Sequence, residues 1–544
     1  MTEPPQPPNQ PPSPSGYGHL PGPPQQGYGF PPQGPNPYAQ QPPTVPQPPV
    51  PNGGYGFPPP PQGMPPVPPR PGRNKALVLI AAAVAGVLVL GAGGWFLLAG
   101  DGDDKAAKEP VAQSSAPTDD KPSPSASVDK GDGNGAGGAY PTDLNSGRKT
   151  GEDKALWLKT VKMEGPGAGI PAKGQWVVGD AVVKTVDKSV VAYAVTDGKE
   201  KWKLDLRTEI CGITGQTTPD GRTVMVVKND DDSNCNQMKL VDLKGGKELW
   251  TKEIVMEGLF KTASETTVTF TGDTVALGWM GGQSVHRLST GDKLFSDAGP
   301  EGCKPTDYAA GNGRLIAVAM CLDADKTVEI QDADPNTGKK TWAYKLPKGF
   351  QVKAVYSVSP TVIDAQNRET KQRGIIVLDD KGQKRNSLSG DGNFVINCGG
   401  GSSSEGLQNC GNSVVDGDTI YLGTGAELDT ASAEIVAFDL NTGKVKWRTK
   451  AGDKQTFVPL KAAGGRLTAY RTGAGLDEPG EIVSLPAADG KPTVLLKMPS
   501  GPAAKIEGSF MFSRTAYEDG RFFLSVTNLQ GDGKDEKLLM AFGK

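Results

Sequence analysis

The sequence predicts an all-β protein: an eight-bladed β-propeller of four-stranded antiparallel blades, preceded by a disordered tail and one transmembrane helix. Three observations lead to this prediction. A turn unit recurs through residues 152–544, all six cysteines lie in that part of the chain, and an uncharged apolar run separates it from a proline-rich N-terminus. Repetition with a period of about 40 to 50 residues is typical of propellers.

The repeat consists of a strand, an aspartate and a glycine turn, with an aromatic residue four positions after the glycine. Its clearest copy runs from Val436 to Trp447 and turns at Gly443. The turns recur about every 45 to 48 residues, with one longer interval, and two further strands precede each of them. Four strands per repeat predict one blade, in which the aromatic residue packs between neighbouring sheets. The predicted blade-packing residues are Trp157, Trp202, Trp250, Phe295, Trp342 and Trp447, whereas Asn386 and Val494 stand at this position in two weaker copies.

The third strands give the number of blades. They are centred near Ala192, Leu240, His286, Ile330, Val377, Val436, Val483 and Met540. The last unit ends at Lys544 without a fourth strand, while the strand around Trp157 at the start of the region has no unit of its own. We therefore predict that this first strand completes the last blade, which would remove the exposed sheet edges of an open array.

The cysteines predict local disulfides on one face of the ring. An even number of cysteines confined to one region is typical of an oxidising compartment. In an antiparallel blade the start of the first strand lies beside the end of the second, so cysteines at these places can bond within the blade. The predicted pairs are Cys211 with Cys235, Cys303 with Cys321, and Cys398 with Cys410.

The N-terminal third predicts a membrane anchor. Residues 1–73 are rich in Pro, Gly, Gln and Tyr and are predicted to be a disordered cytoplasmic tail, with proline motifs that could bind a cytoplasmic partner. Residues 76–99 carry no charge and are long enough to span a bilayer, and basic residues precede them. A cleaved signal peptide is disfavoured because a long segment precedes the apolar run. Residues 100–150 are predicted to form a flexible extracellular stalk. The propeller at 152–544 follows it and is expected outside the cell membrane.

The repeats resemble those of the PQQ-type (pyrroloquinoline-quinone-like repeat) β-propeller family, most closely from Ala437 to Trp447. The resemblance covers roughly Trp157 to Lys544 and implies the propeller fold, but it is compatible with several functions. The family includes quinone-dependent dehydrogenases, the propeller lipoprotein of outer-membrane assembly, and sensor ectodomains. The tail before a single helix resembles that of membrane-anchored actinobacterial proteins. The repeats lack the GlyHis and TrpAsp motifs of WD40 propellers, which are the competing class of propeller.

For the enzymes of this family, the resemblance implies a quinone-binding site. This sequence lacks the residues of that site. Quinoprotein dehydrogenases use two adjacent cysteines, a tryptophan beneath the quinone and a bound Ca²⁺, and no two cysteines are adjacent here. Trp176 and Trp279 could line the central funnel, but local packing is the favoured explanation for both. The runs Asp230 to Asp232 and Asp323 to Asp325 could hold Ca²⁺, but solvated loop acids are commoner. His286 lies within a strand and is interpreted as structural. We predict no catalytic residue, cofactor or metal.

These observations favour a non-enzymatic binding or scaffolding ectodomain for an extracellular protein, peptide or glycan of the cell envelope. Its loops around 398–410 and 474–480 would shape the binding face. Two alternatives stay open: a dehydrogenase dependent on PQQ and Ca²⁺, and a sensor that signals through the cytoplasmic tail. The net charge of -3 gives no basic surface for nucleic acid, so that class of partner is not expected.

Overall fold

The structure is a computed structural model. It describes residues 140–544 except 166, 168, 258–260, 297–301, 391, 393, 395–397, 399–405, 409, 426–432 and 511–512. The predicted tail (1–73), transmembrane helix (76–99) and most of the stalk (100–150) lie outside the described residues. Within the described part, no helix is long and apolar enough to cross a membrane. The anchor therefore stays a prediction.

The described residues form eight four-stranded antiparallel sheets, as the sequence predicts. β1 (Lys154–Glu164) joins the last blade, and the short β2 (Ile170–Pro171) precedes the first. Blades 1 and 2 contain β3 (Gln175–Val178), β4 (Ala181–Val186), β5 (Ser189–Ala194), β6 (Glu200–Asp205), β7 (Ile210–Ile213), β8 (Arg222–Val227), β9 (Gln237–Asp242) and β10 (Lys247–Glu253). Blades 3 and 4 contain β11 (Thr267–Thr271), β12 (Thr274–Trp279), β13 (Gly282–Arg287), β14 (Lys293–Phe295), β15 (Cys303–Gly311), β16 (Arg314–Cys321), β17 (Val328–Ala333) and β18 (Lys340–Lys345).

The second half of the ring repeats the pattern and adds a helix that the sequence analysis did not predict. Blades 5 and 6 contain β19 (Phe350–Val358), β20 (Thr361–Asn367), β21 (Arg373–Leu378), β22 (Lys384–Ser387), β23 (Ser413–Asp416), β24 (Thr419–Gly423), β25 (Glu434–Asp439) and β26 (Val445–Lys450). Blades 7 and 8 follow with β27 (Phe457–Ala463), β28 (Arg466–Arg471), β29 (Glu481–Pro486), β30 (Thr493–Lys497), α1 (Pro502–Gly508), β31 (Ser513–Glu518), β32 (Arg521–Val526), β33 (Asn528–Leu529) and β34 (Asp532–Gly543).

The two ends of the folded chain meet in blade 8. Its strand order is β1-β34-β32-β31, so the first strand of the propeller supplies the outer edge of the last blade. The antiparallel register runs from Lys154 opposite Gly543 to Glu164 opposite Asp532. A closed ring of this kind leaves no blade face open to solvent. The predicted closure is confirmed.

Where the outer strand of a blade carries a tryptophan, the indole ring packs on the turn glycine of the following blade. The Trp157 ring is so close to Gly198 that a Cβ there would lie 2.7 Å from the ring, and Trp202 approaches Gly246 in the same way, at 2.3 Å. Both glycines have a positive φ, of 67° and 64°. The turn thus requires glycine twice, for its backbone conformation and for the space that the indole fills.

The first strands of the blades are the innermost. Neighbouring first strands contact one another around the ring in the order β7, β11, β15, β19, β23, β27, β31 and β3. They surround the central channel. We call the upper face the side that carries two kinds of connection: those between the second and third strands of a blade, and those from a fourth strand to the next blade. The remaining turns form the lower face.

Candidate functional site

Three disulfides brace the connections of the upper face. The structure bonds Cys211 to Cys235, Cys303 to Cys321, and Cys398 to Cys410. Cys303 and Cys321 face each other at the open ends of β15 and β16. The first two bonds lie within blades 2 and 4, and the third closes the connection from blade 5 to blade 6. The upper face is thereby fixed over half of the ring.

The loop of the third disulfide enters the central channel. Gln408 reaches the inner strands of blades 3 and 4, where its Oε1 accepts hydrogen bonds from Thr269 Oγ1 (2.7 Å) and from the Ala310 backbone N–H (2.6 Å). The carbonyl of the adjacent Leu407 accepts a hydrogen bond from the Val355 N–H of blade 5 (2.9 Å). Residues 406–408, which we call the channel plug, therefore join three inner strands from the upper side.

A second glutamine reaches the same strands from the lower face. Gln216 lies in the connection between β7 and β8, and its Nε2 donates to the carbonyls of Phe270 (3.2 Å) and Ala310 (2.8 Å). Its Oε1 accepts a hydrogen bond from Thr269 Oγ1 at 3.0 Å. The Thr269 hydroxyl thus lies between Gln216 and Gln408. Side chains of the protein itself occupy the channel between blades 3 and 4 from both ends.

A carboxyl group lies beneath the channel plug. Asp307 on β15 accepts hydrogen bonds from Thr267 Oγ1 (2.9 Å) and from the Tyr308 backbone N–H (2.8 Å). A Cβ on Gly406 would be 3.3 Å from Thr267, so the plug rests directly on this wall of the channel. Burial raises the pKa of Asp307 to about 6. No cation pairs with this carboxyl group among the described residues.

The tryptophans proposed as funnel residues are buried in the packing between blades. Trp176 belongs to the core between blades 1 and 2, and its Nε1 donates to the Thr214 carbonyl at 3.1 Å. Trp279 packs in the core between blades 2 and 3. Neither ring lines an open funnel. These two residues therefore do not form the tryptophan platform that the resemblance implies for quinone binding.

His286 is held by hydrogen bonds inside blade 3. Its ring nitrogens lie 2.9 Å from Ser284 Oγ and 3.1 Å from the Gly291 carbonyl oxygen. Burial lowers the pKa of His286, which keeps the ring neutral. No motif in the sequence marks Ser284 as a neighbour of His286, and the structure buries both side chains. This histidine ties β13 to its turn.

The acidic runs form turns. Asp231 Oδ1 accepts the Ser233 N–H at 3.1 Å, and Asp323 Oδ1 accepts the Thr327 N–H at 2.8 Å. Among the described residues, the one group of side chains close enough to share a metal ion combines Cys303, Cys321 and Glu329. Its two sulfurs are already bonded to each other. Neither run, at 230–232 or 323–325, belongs to such a group in the described part of the chain.

The upper face carries exposed apolar side chains. In the described part of the chain, four large apolar residues in connections are at least two-thirds exposed: Val255, Met280, Leu322 and Leu476, at 67%, 74%, 79% and 68%. All four lie in upper-face connections. The lower-face turns that the structure describes present none. The apolar surface of this propeller is thus one-sided.

A buried acid supports the upper face between blades 7 and 8. Glu507 of α1 accepts hydrogen bonds from Tyr470 Oη (2.7 Å) and from the Gly480 N–H (3.1 Å). Burial raises the pKa of Glu507 to about 7. These bonds join α1 to the loop that exposes Leu476, so the position of that loop depends on the helix.

The fold and its repeat define a closed propeller with PQQ-like blades. The sequence model of the PQQ_2 family, described as "Outer membrane protein assembly factor BamB", matches residues 145–302 and 296–464. Together these ranges cover more than half of the 544 residues, and the chain belongs to this family.

Comparison with solved structures gives distant similarities. BamB from Moraxella catarrhalis superposes with a TM-score of 0.42 at 12% identity, covering 71% of this chain and 100% of that one. A europium-containing methanol dehydrogenase gives 0.42 at 12% identity, covering 71% and 93%. A quinohemoprotein alcohol dehydrogenase from Comamonas testosteroni gives 0.41 at 13% identity, covering 75% and 78%. These values assign no activity. No curated protein matches the sequence.

Proposed function

We propose that this chain is a non-enzymatic binding module, anchored in the cell membrane by residues 76–99, whose propeller holds a protein or another cell-envelope ligand on its upper face. The observation that carries the proposal is the one-sided exposure of Val255, Met280, Leu322 and Leu476. Exposed apolar side chains grouped on one face are typical of interaction surfaces. The Cys303–Cys321 disulfide holds the connection that exposes Leu322, and a loop that is ordered before binding loses less entropy on association.

The contacts of the channel plug support a site on the surface over a site deep in the channel. The plug and Gln216 bind the inner strands of blades 3 and 4 from the upper and the lower side, so a ligand that approaches the upper face meets its loops first. The three disulfides also support an exported location, since such bonds persist in oxidising compartments. Location, anchor and ligand class are parts of the proposal.

Site-specific photo-crosslinking in membranes tests the proposal. The full-length chain carries the photoreactive amino acid either at Leu322 on the upper face or at Asn441, an exposed residue in a turn of the lower face. We expect one discrete adduct at Leu322, suppressed by adding unlabelled protein, and none at Asn441. Equal labelling of both faces, or no adduct at Leu322, Met280 and Leu476 in turn, would contradict the proposal.

A titration separates binding from dehydrogenase activity. The purified full-length protein receives PQQ and Ca²⁺ while its absorbance and heat of binding are followed. We expect neither signal to change beyond dilution, because the described channel residues do not match the quinone site that the resemblance implies. Saturable PQQ binding together with dye-linked oxidation of an alcohol or sugar would replace the proposed function with a catalytic one.

A further inference from the structure

A cleft of about 750 Å³ opens at the outer rim of the upper face, between blades 1 and 2. One wall is the end of β6 with the connection that follows it, and the other is formed by residues 227–231 and by β9 and β10. Leu204, Leu206 and Val227 give the cleft an apolar floor. The cleft lies where the outer strand of blade 1 meets the outer three strands of blade 2, a place that no repeated motif of the sequence marks.

The lysines of the cleft are already neutralised. Lys228 Nζ lies 2.5 Å from Glu209 Oε2, and Lys239 Nζ lies 2.8 Å from Glu248 Oε2. Lys239 occurs where the equivalent position of blade 1 carries Val191, so an ion pair replaces apolar packing between these blades. These two cations are therefore committed to the wall of the cleft and offer little charge to a ligand.

The remaining charges of the cleft are mainly negative. The cleft is lined by three further acids, Asp205, Asp230 and Asp231, and by one further cation, Arg207. None of the three acids forms an ion pair with another described residue. Asp205 Oδ1 accepts the Arg207 N–H at 2.9 Å, and Arg207 has a φ of 70°, which is uncommon for a residue with a side chain. This turn fixes the Asp205 carboxylate at the mouth of the cleft. A bound group with positive charge would balance the acids.

The backbone beside the cleft favours an extended chain as ligand. β6 is the last strand of its sheet and pairs only with β5, so its outer edge is open to another strand. Strand addition of this kind supplies main-chain hydrogen bonds, while side-chain pockets give specificity. No aromatic ring belongs to the described lining residues, so a sugar would find no stacking surface there. The cleft therefore suits a peptide better than a glycan.

We infer that the cleft between blades 1 and 2 binds an extended peptide segment that carries a basic side chain. The segment pairs with the outer edge of β6, its apolar side chains contact Leu204 and Leu206, and its cation lies between Asp205 and Asp230. The inference rests on the proposed function, because it names a partner class and one place on the binding surface.

The test uses fluorescence anisotropy with the full-length protein in detergent. The probe is a labelled octapeptide that alternates threonine and leucine around one central arginine, and its control carries glutamate in place of the arginine. We expect the arginine peptide to bind at least tenfold more tightly, and its affinity to fall as salt rises, because the contact is partly exposed. The double variant Asp205→Asn/Asp230→Asn should weaken binding of the arginine peptide about fivefold.

Asp489→Asn is the matched control. Asp489 Oδ1 accepts a hydrogen bond from the Lys491 N–H, as Asp205 Oδ1 does from the Arg207 N–H, but Asp489 lies on the lower face. This variant should bind like the parent. Equal binding of the two peptides, unchanged affinity in the double variant, or competition by tetra-N-acetylglucosamine would overturn the inference. If the cleft variants bind both peptides with the same affinity as the parent while crosslinking at Leu322 persists, the inference fails and the proposed function stands.

Discussion

Single hydrogen bonds distinguish otherwise equivalent blade contacts. In two blades the indole N–H of the packed tryptophan donates to the carbonyl three residues before the turn glycine. Trp157 Nε1 donates to the Val195 carbonyl of blade 1 at 3.2 Å, and Trp447 Nε1 donates to the Ala487 carbonyl of blade 7 at 2.9 Å. Asn386 has no indole, yet its Nδ2 donates to the equivalent carbonyl, Leu440, at 2.6 Å. The amide thus preserves the polar half of the contact where the ring is lost.

A matched pair of substitutions measures that hydrogen bond. Trp447→Phe removes the donor and leaves the Ala487 carbonyl without it, which should cost about 1 to 2 kcal/mol of unfolding free energy. Trp202 has a buried Nε1–H with no partner among the described residues. Trp202→Phe removes an unsatisfied donor, so we expect a cost near zero. Urea unfolding followed by circular dichroism checks the difference, and equal costs for both variants would contradict this account.

The buried carboxyl group of Glu507 makes stability depend on pH. Its pKa rises from 4.5 to about 7 on folding, so the folded state holds a proton that the unfolded chain releases. Stability is complete below about pH 4.5 and falls as pH rises to about 7, by up to about 3 kcal/mol. Glu507→Gln keeps both acceptor contacts and should remove this slope, giving a variant more stable than the parent at pH 8. Thermal unfolding across pH 4 to 8 tests it, with the exposed Glu478→Gln as a control that keeps the slope.

At the scale of elements, the sequence predicts what repeats and misses what does not. The third strands were visible because the turn glycine recurs in seven units and the aromatic residue follows it in five. Strand order within a blade predicts the first two cysteine pairs, and the short separation of Cys398 and Cys410 predicts the third. Gln408 was invisible, because its partners are 98 and 139 residues away and no pattern marks it. The helix α1 was missed because its seven residues, about two turns, are too few to show a helical period. The cleft was missed because its lining includes Lys239 at a position that varies between blades, with Val191, Ser284 and Gln331 in blades 1, 3 and 4.

The channel plug predicts a local effect on neighbouring inner strands. Gln408→Ala removes the acceptor for the Ala310 N–H and for the Thr269 hydroxyl, so residues 406–408 should detach from the channel wall. We expect faster hydrogen exchange in peptides that contain Ala310 and Val355, with little change in the melting temperature of the propeller, because stability is spread over eight blades. Gln366→Ala, in an exposed hairpin bond of blade 5, should leave those peptides protected. Unchanged exchange at both amides would show that the plug is held by other contacts.

At the scale of the molecule, stability depends on joining the two ends of the folded chain. Trp157 is 1% exposed and packs against Phe523 of blade 8 with ring centroids 6.3 Å apart. The same ring fills the space at Gly198 of blade 1. One residue of β1 therefore connects the last blade to the first. The closure was predictable because the strand around Trp157 belongs to no repeat of its own, while the last repeat lacks its fourth strand. Pairing the two completes both.

Deleting residues 154–161 tests the closure. The deletion removes Trp157 and most of the strand that covers β34, so blade 8 would expose an unpaired edge and an apolar face. Loss of a buried tryptophan alone costs about 3 to 5 kcal/mol, and we expect the melting temperature to fall sharply and the protein to aggregate. Hydrogen exchange should accelerate in β34 and β32 before it does in β16 of blade 4, on the opposite side of the ring. Removing residues 120–127 instead shortens the chain by the same length and should leave the melting temperature unchanged. A deletion of 154–161 that melts like the parent would mean that the ring does not depend on β1, and the packing of Trp157 between blades 8 and 1 would then have no energetic role.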